Sequence, residues 1–329
     1  MNAARFAPVL LALSATLGAL ASPAAQAEPA VIFDMGGKFD KSFNQAAYEG
    51  AERWKKETGQ TYLEFEISND TQRVQAIRRM AERGASPIIS VGFAQASALD
   101  QIAKEFPKTH FVIIDATVNK PNVQSVLFKE QEGSYLVGAL AVLTSKTGKV
   151  GFVGGMDIPL IRKFQCGYEQ GVHATNPKAE VFSNMTGTTS TAWNDPTRGA
   201  ELAKAQFARG ADIVFAAAGG TGVGVYQAAK DAGKLAIGVD SNQDHLQPGT
   251  MLTSMVKRVD VAVYNTLKQW QPGLQVLGLK EGGVDYAQDD YNARLLNPAV
   301  KKKVDAIKAD IVAGKIQVVD YMATNSCKF

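Results

Sequence analysis

Short, nearly continuous apolar runs recur along the chain, each followed by a stretch whose apolar residues return every three to four positions. Residues 30–34 form the first such run, then a Gly-rich turn, then a helix in which Ser42 and Gln45 have capping-box spacing. The pattern predicts strands over 63–67, 87–91, 110–115 and 123–128, with helices over 70–83 and 96–106 between them. It continues with helix 132–143, strand 150–154, helix 160–173, strand 180–184, helix 195–209, strand 212–217, helix 222–232 and strand 235–240. A strand over 251–256 leads into helix 259–270, and an amphipathic helix over 298–313 follows near the end, its Lys301-Lys302-Lys303 start read as a solvated face. Apolar strands joined by helical crossovers form parallel sheets covered on both faces. Two such series, before and after about residue 128, predict two doubly wound lobes. In such sheets ligands sit beyond the carboxyl ends of the strands.

A length of 329 residues fits about two domains of ordinary size. With 46% hydrophobic residues both can bury a core, which excludes a disordered chain. The formal charge of +3 lacks the basic stripe of a nucleic-acid binder. Residues 1–27 carry Arg5, an apolar run over 9–20 and the ending Ala25-Gln26-Ala27, the pattern of a secretory signal peptide cleaved after Ala27. With no cysteine near that site, no lipid anchor is expected there, and the mature chain is expected outside the cytoplasm. In such a compartment Cys166 and Cys327 either pair or stay as buried thiols, and the sequence leaves both open.

The strand ends carry the candidate chemistry. Asp34 closes the first strand, and Asp40, Phe43 and Asn44 follow in the turn and first helical turn. Phe43 reads either as a staple packing its helix on the sheet or as a plate for a flat ligand, and the aspartates as caps or ligand acceptors. Asp115 ends the fourth strand, and carboxylates at two strand ends exceed what capping requires. The segment Ala217-Ala218-Gly219-Gly220-Thr221-Gly222-Val223-Gly224 fails both nucleotide fingerprints: Gln227 stands at the third glycine of G-x-G-x-x-G, and Val225 where a P-loop needs lysine. It remains either a tight strand–helix turn or a backbone cradle. Asp240 and Lys257 end the next strands, as a salt bridge or as a bracket for hydroxyl groups. Trp193, just before Asn194-Asp195-Pro196, is either a stacking plate or a core residue.

No catalytic constellation emerges. His110, His173 and His245 are scattered, and no His-x-x-x-His or Glu-x-x-His pair supports a metal site. No Gly-x-Ser-x-Gly elbow is present, and Cys166 lies within a helical pattern typical of core packing.

The string Asp34-x-Gly36-Gly37-x-x-Asp40-x-Ser42-Phe43-Asn44, followed by Glu49-Gly50, resembles the basic membrane protein family of solute-binding proteins, whose purine-nucleoside receptor branch serves ABC importers. The likeness runs in order through Ile113-Ile114-Asp115, residues 132–138, 150–155, 194–196 and 217–222, Gly238-Val239-Asp240 and Ser254-Met255-Val256-Lys257. It implies a type I periplasmic binding protein-like α/β fold, with two lobes closing on a nucleoside. Residues 28–128 with about 254–280 would form the N-terminal lobe, and 129–253 with about 281–329 the C-terminal one. Crossings are expected near Phe128, near Ser254 and between Gly278 and Asp285. The resemblance assigns Phe43 and Trp193 to the two faces of the base, Asp115 to its edge, and Asp240 and Lys257 to ribose hydroxyls. It adds Asp34 and Asn44 as first-lobe site positions and Gly220 as a backbone contact. It implies a monomeric periplasmic receptor that works with an inner-membrane ABC permease and uses no cofactor, metal or catalytic residue. A sugar or other small-ligand receptor of the same fold is the alternative, and a secreted nucleoside hydrolase a more distant one.

Overall fold

The computed structural model describes Met1 and residues 27–328, so nearly all of the expected signal segment lies outside the described residues. The first lobe begins with β1 (Ala30–Phe33), α1 (Phe43–Thr58), β2 (Leu63–Glu66), α2 (Gln72–Glu82), β3 (Ile88–Ser90), α3 (Ala96–Glu105), β4 (Phe111–Ile114) and β5 (Val123–Phe128). The second contains α4 (Glu130–Thr144), β6 (Lys149–Met156), α5 (Pro159–Thr175), β7 (Glu180–Gly187), α6 (Pro196–Ala208), β8 (Ile213–Ala217), α7 (Gly222–Asp231), β9 (Leu235–Asp240) and β10 (Met251–Lys257). After these come α8 (Val259–Lys268), β11 (Gly273–Leu277), β12 (Val284–Tyr286), α9 (Pro298–Val312) and α10 (Tyr321–Thr324).

Two six-stranded sheets result, in the orders β11-β5-β4-β3-β1-β2 and β12-β10-β9-β8-β6-β7. Every pairing is parallel except that of β12 with β10. The strand orders make β4 the counterpart of β9 and β5 the counterpart of β10. Asp115, just past β4, and Asp240, the last residue of β9, therefore hold equivalent places in the two lobes. Both adopt positive φ, 70° and 63°, a region that costs a non-glycine residue roughly 1–3 kcal/mol.

Strands β1, β3, β4 and β8 are buried along their whole length, as expected of central parallel strands with helices on both faces. The edge strands β2 and, from Leu274, β11 (Gly273–Leu277) alternate between half-buried and exposed positions. The chain crosses between lobes at Phe128–Glu130 and again between Leu277 and Val284. The crossing expected near Ser254 lies instead beyond Lys257, because Met251–Val256 pairs with β9 and Met255–Lys257 with β12, all within the second sheet. From there α8 packs on α1, and β11 adds an edge to the first sheet that the sequence pattern had not marked.

In the second lobe α4 and α5 pack backbone against backbone. A Cβ on Gly138 would stand 2.2 Å from the Tyr168 carbonyl oxygen, and one on Gly171 would stand 2.0 Å from that of Tyr135. Cys166 of α5 is bonded to Cys327, which ties the C-terminal tail to that helix and settles what the sequence left open. Gly171→Ala is expected to destabilise the protein by about 1–3 kcal/mol in urea unfolding, because overpacking outweighs the roughly 1 kcal/mol gained in helix propensity.

Candidate functional site

The carboxyl ends of both sheets face one cleft. It holds about 630 Å³ of space not filled by protein atoms, counting its mouth to solvent. Asp34, Phe43, Asn44 and Asp115 line it from the first lobe, and Trp193, Asp240 and Lys257 from the second. Gly220 does not line it. The neighbouring Gly219 does, while the space beside Gly220 is taken by the Trp193 carbonyl and the Asn194 side chain.

The first-lobe residues are held by one turn. Asp40 accepts backbone N–H bonds from Ser42, Asn44 and Gln45, and so caps α1. The expected Ser42–Gln45 capping box is therefore not what closes this helix. Ser42 turns its hydroxyl across the cleft and donates to Asp240 Oδ2 at 2.6 Å. Burial pushes the Asp40 carboxyl up, against the pull of those three N–H groups. The Asn44 amide brackets the Asp34 backbone, accepting from its N–H and donating to its carbonyl, so it shapes the turn as well as lining the cleft. Asp34 in turn accepts from Arg73 at 2.9 Å.

Further contacts join the lobes. Ser241 donates to the Ser42 carbonyl at 2.8 Å, and Gln243 to the Lys41 carbonyl at 2.8 Å. Trp193 ends a single helical turn, Ser190–Trp193, and its indole lies on the backbone of β6: a Cβ on Gly155 would come within 2.3 Å of the ring. Thr221 fixes this turn to the Gly-rich loop, accepting from Asp195 N–H and donating to the Ala192 carbonyl, both at 2.8 Å.

At the base of the cleft lies a buried ammonium. Lys257, 2% exposed, donates to Asp115 Oδ2 at 2.6 Å and sits 2.9 Å from Glu130 Oε1. The rings of Phe128, Phe43 and Phe164 surround it at 5.0, 5.1 and 5.7 Å, within cation–π range. Glu130 also meets Lys163 at 2.9 Å. Burial disfavours the Lys257 cation, but Asp115 and Glu130 outweigh that cost and its pKa rises. Burial pushes Asp115 up to about 6 against the attraction of Lys257, with Glu130 repelling it further. Asp240 rises to about 6 as well, again through burial, opposed by Lys257 and by the Ser42 hydroxyl. Glu130 is held below the ordinary value, because its two lysines overcome burial. Among the described residues, none donates a hydrogen bond to the buried Asp115 Oδ1.

Several residues in or behind the cleft wall escaped the sequence reading. Gly92 and Phe93 follow β3, where the strand-end rule already pointed. Leu160, Ile161 and Phe164 share one face at the start of α5, a spacing that read as ordinary core. Glu130 opens α4 directly after the first crossing, and no motif marks it.

Removing the ammonium leaves the buried Asp115 unpaired and Glu130 with Lys163 alone, a loss worth roughly 3–5 kcal/mol. Lys257→Met should therefore lower unfolding free energy by about that amount at pH 8. Without the lysine the folded-state carboxyl pKa lies above its unfolded value, so the stability of this variant falls as pH rises through it. Denaturant curves at pH 5 and pH 8 check both the size and the sign.

Residues 27–321 match the family model of the PnrA-like ABC transporter substrate-binding proteins. The chain is 32% identical to the ABC transporter nucleoside-binding protein BmpA of Lactococcus lactis, over 88% of each chain. It is 34% identical to the CD4+ T-cell-stimulating antigen of Listeria monocytogenes, over 88% of this chain and 87% of that one. Among solved structures, an ABC transporter solute-binding protein from Aeropyrum pernix superposes with a TM-score of 0.82 at 29% identity, covering 90% of this chain and 94% of that one. The arabinose-binding protein AraP of Geobacillus stearothermophilus, at 12% identity and TM-score 0.61 over 83% of this chain and all of its own, shares the fold alone. Two parallel-sheet lobes, a polar cleft between them and this match over nearly the whole described chain have one meaning: the protein belongs to the PnrA-like family of ABC transporter substrate-binding proteins, which bind a solute and do no chemistry on it.

Proposed function

We propose that this protein is a periplasmic receptor that binds a purine nucleoside between its lobes and delivers it to an ABC permease in the inner membrane. The observation that carries this reading is Asp115: one carboxylate oxygen is held by Lys257, and the other is buried in the cleft with no protein donor. An unsatisfied buried acceptor costs about 1–3 kcal/mol, which a ligand N–H on a purine edge would recover. Phe43 and Trp193, one from each lobe, supply aromatic surfaces for the faces of a base. Asp240 and Lys257 supply an acceptor and a donor suited to ribose hydroxyls, and Gly219 takes the backbone role expected of Gly220. Asp34 and Asn44 complete the first-lobe wall. The printed name of the Lactococcus lactis relative, a nucleoside-binding protein, supports the same ligand class. The basic, apolar and small-residue pattern of residues 1–27 supports export.

Calorimetry against guanosine, inosine, adenosine and a sugar panel tests the proposal. One nucleoside should bind per chain and be recovered intact, with no free base released. Binding of a sugar without any nucleoside would replace this reading with a sugar receptor, and release of base would replace it with a hydrolase. Phe43→Ala should weaken nucleoside binding by about 1–3 kcal/mol if the ring stacks on the base. The charged carboxylates are the acceptors, and Asp115 and Asp240 take up protons as pH falls through about 6. Affinity should accordingly be full above that pH and decline below it, as read by titrations between pH 4.5 and 8.

A further inference from the structure

We propose that Glu130, which does not line the cleft, is a positioning residue for ligand recognition: it holds the Lys257 ammonium so that Asp115 keeps one oxygen for the ligand. The inference rests on the cleft being the ligand site. An ammonium has three N–H donors. One goes to Asp115 Oδ2 at 2.6 Å, and a second is directed to Glu130 Oε1 at 2.9 Å. Phe43, Phe128 and Phe164 crowd the remaining sides, and the lysine is 2% exposed, so bulk water is no substitute for either carboxylate. Without Glu130 the ammonium would have Asp115 as its one remaining ion-pair partner and would draw on both of its oxygens. With Glu130 in place, Asp115 Oδ1 stays without a protein donor inside the cleft.

Glu130 cannot drift toward the lysine, because it is gripped from the other side. Lys163, on α5, stands 2.9 Å from Glu130 Oε2 and donates to the Phe128 carbonyl at 2.7 Å. Phe128 is the last residue of β5, at the crossing between lobes. Lys163 also lies 3.5 Å from Asp320, the residue that caps α10. The ionic chain Asp115–Lys257–Glu130–Lys163 thus runs from the cleft wall to the interlobe crossing, and two of its four members, Glu130 and Lys163, do not line the cleft. A buried arrangement of this kind costs desolvation and is no gain over apolar packing. Its placement is accounted for by what it does to Asp115. The groups facing Asp115 are Lys257 from β10, Glu130 from α4 and Asp240 from the end of β9, and those facing Glu130 are Lys257 and Lys163.

Glu130→Gln keeps the shape and removes the charge. Guanosine and inosine binding to the purified full chain is measured by calorimetry from pH 5 to pH 8. The expected result is a loss of about tenfold or more in affinity at pH 8, the worth of one hydrogen bond to a charged group. The acid-side midpoint should also move to lower pH, because Asp115 loses a repelling neighbour. Glu130→Gln with Lys163→Met removes one charge of each sign and covers the case in which the single variant fails to fold. It should show the same lowered midpoint. Unchanged affinity and midpoint in whichever variant folds overturns the proposal, and so does failure of both to fold, which makes Glu130 a structural charge. If the unaltered protein binds no nucleoside, the ligand reading fails instead. The Asp115 titration is then followed by carboxyl NMR, where a downward shift in Glu130→Gln upholds the positioning role and no shift ends it.

Discussion

A single ammonium group buried where two lobes meet sets the terms for the rest of this structure. Lys257 belongs to the second sheet and Asp115 to the first, so their 2.6 Å contact is an interlobe bond 142 residues long in sequence. Neither charge is tolerable there without the other, since an isolated buried ion costs several kcal/mol even after relaxation. Closure of the lobes, the electrostatics of the cleft and the unsatisfied oxygen of Asp115 all follow from satisfying that one cation with two carboxylates, one on each side of the crossing at Phe128.

The pseudo-symmetry of the sheets explains why the polar groups converge. Equivalent strands β4 and β9 both finish at an aspartate in the left-handed region, and each thereby turns its carboxylate toward the same gap. Such backbone conformations persist only where the surroundings over-determine them, which here means Lys257 for Asp115 and Ser42 for Asp240. The two aspartates differ in partner: one is held by an ammonium and the other by a hydroxyl from the opposite lobe. Ser241 and Gln243 extend that second contact onto the backbone of the turn preceding α1. The cleft is therefore spanned by hydrogen bonds around Asp240 and by an ion pair at its base.

Much of this was legible without coordinates. Buried parallel strands read as apolar runs, and the rule that ligands sit at their carboxyl ends picks out Asp34, Asp115, Asp240 and Lys257. Phe43 and Trp193 were legible as aromatics near those ends, though both also read as core. The Ser42–Gln45 spacing reads as a capping box because hydroxyl and carboxylate caps are interchangeable in sequence, but Asp40, two residues earlier, takes the role. Gly220 and Gly219 are chemically identical neighbours, and only the turn decides which of them faces the cleft. Glu130 had no signal at all, since a glutamate in the first turn of a helix is what favourable interaction with the helix dipole alone would produce.

What the amino-acid sequence determined by itself was the alternation of strand and helix, the parallel sense of the sheets and the polar character of the strand ends. These follow from periodicity and local propensity, which act over a few residues. The tertiary structure decided which strand ends face one another, that Cys166 meets Cys327, and that Lys257 is shared between Asp115 and Glu130. Those outcomes depend on long-range packing, and in a low-dielectric interior the partner of a charge is chosen by distance, which no local pattern encodes.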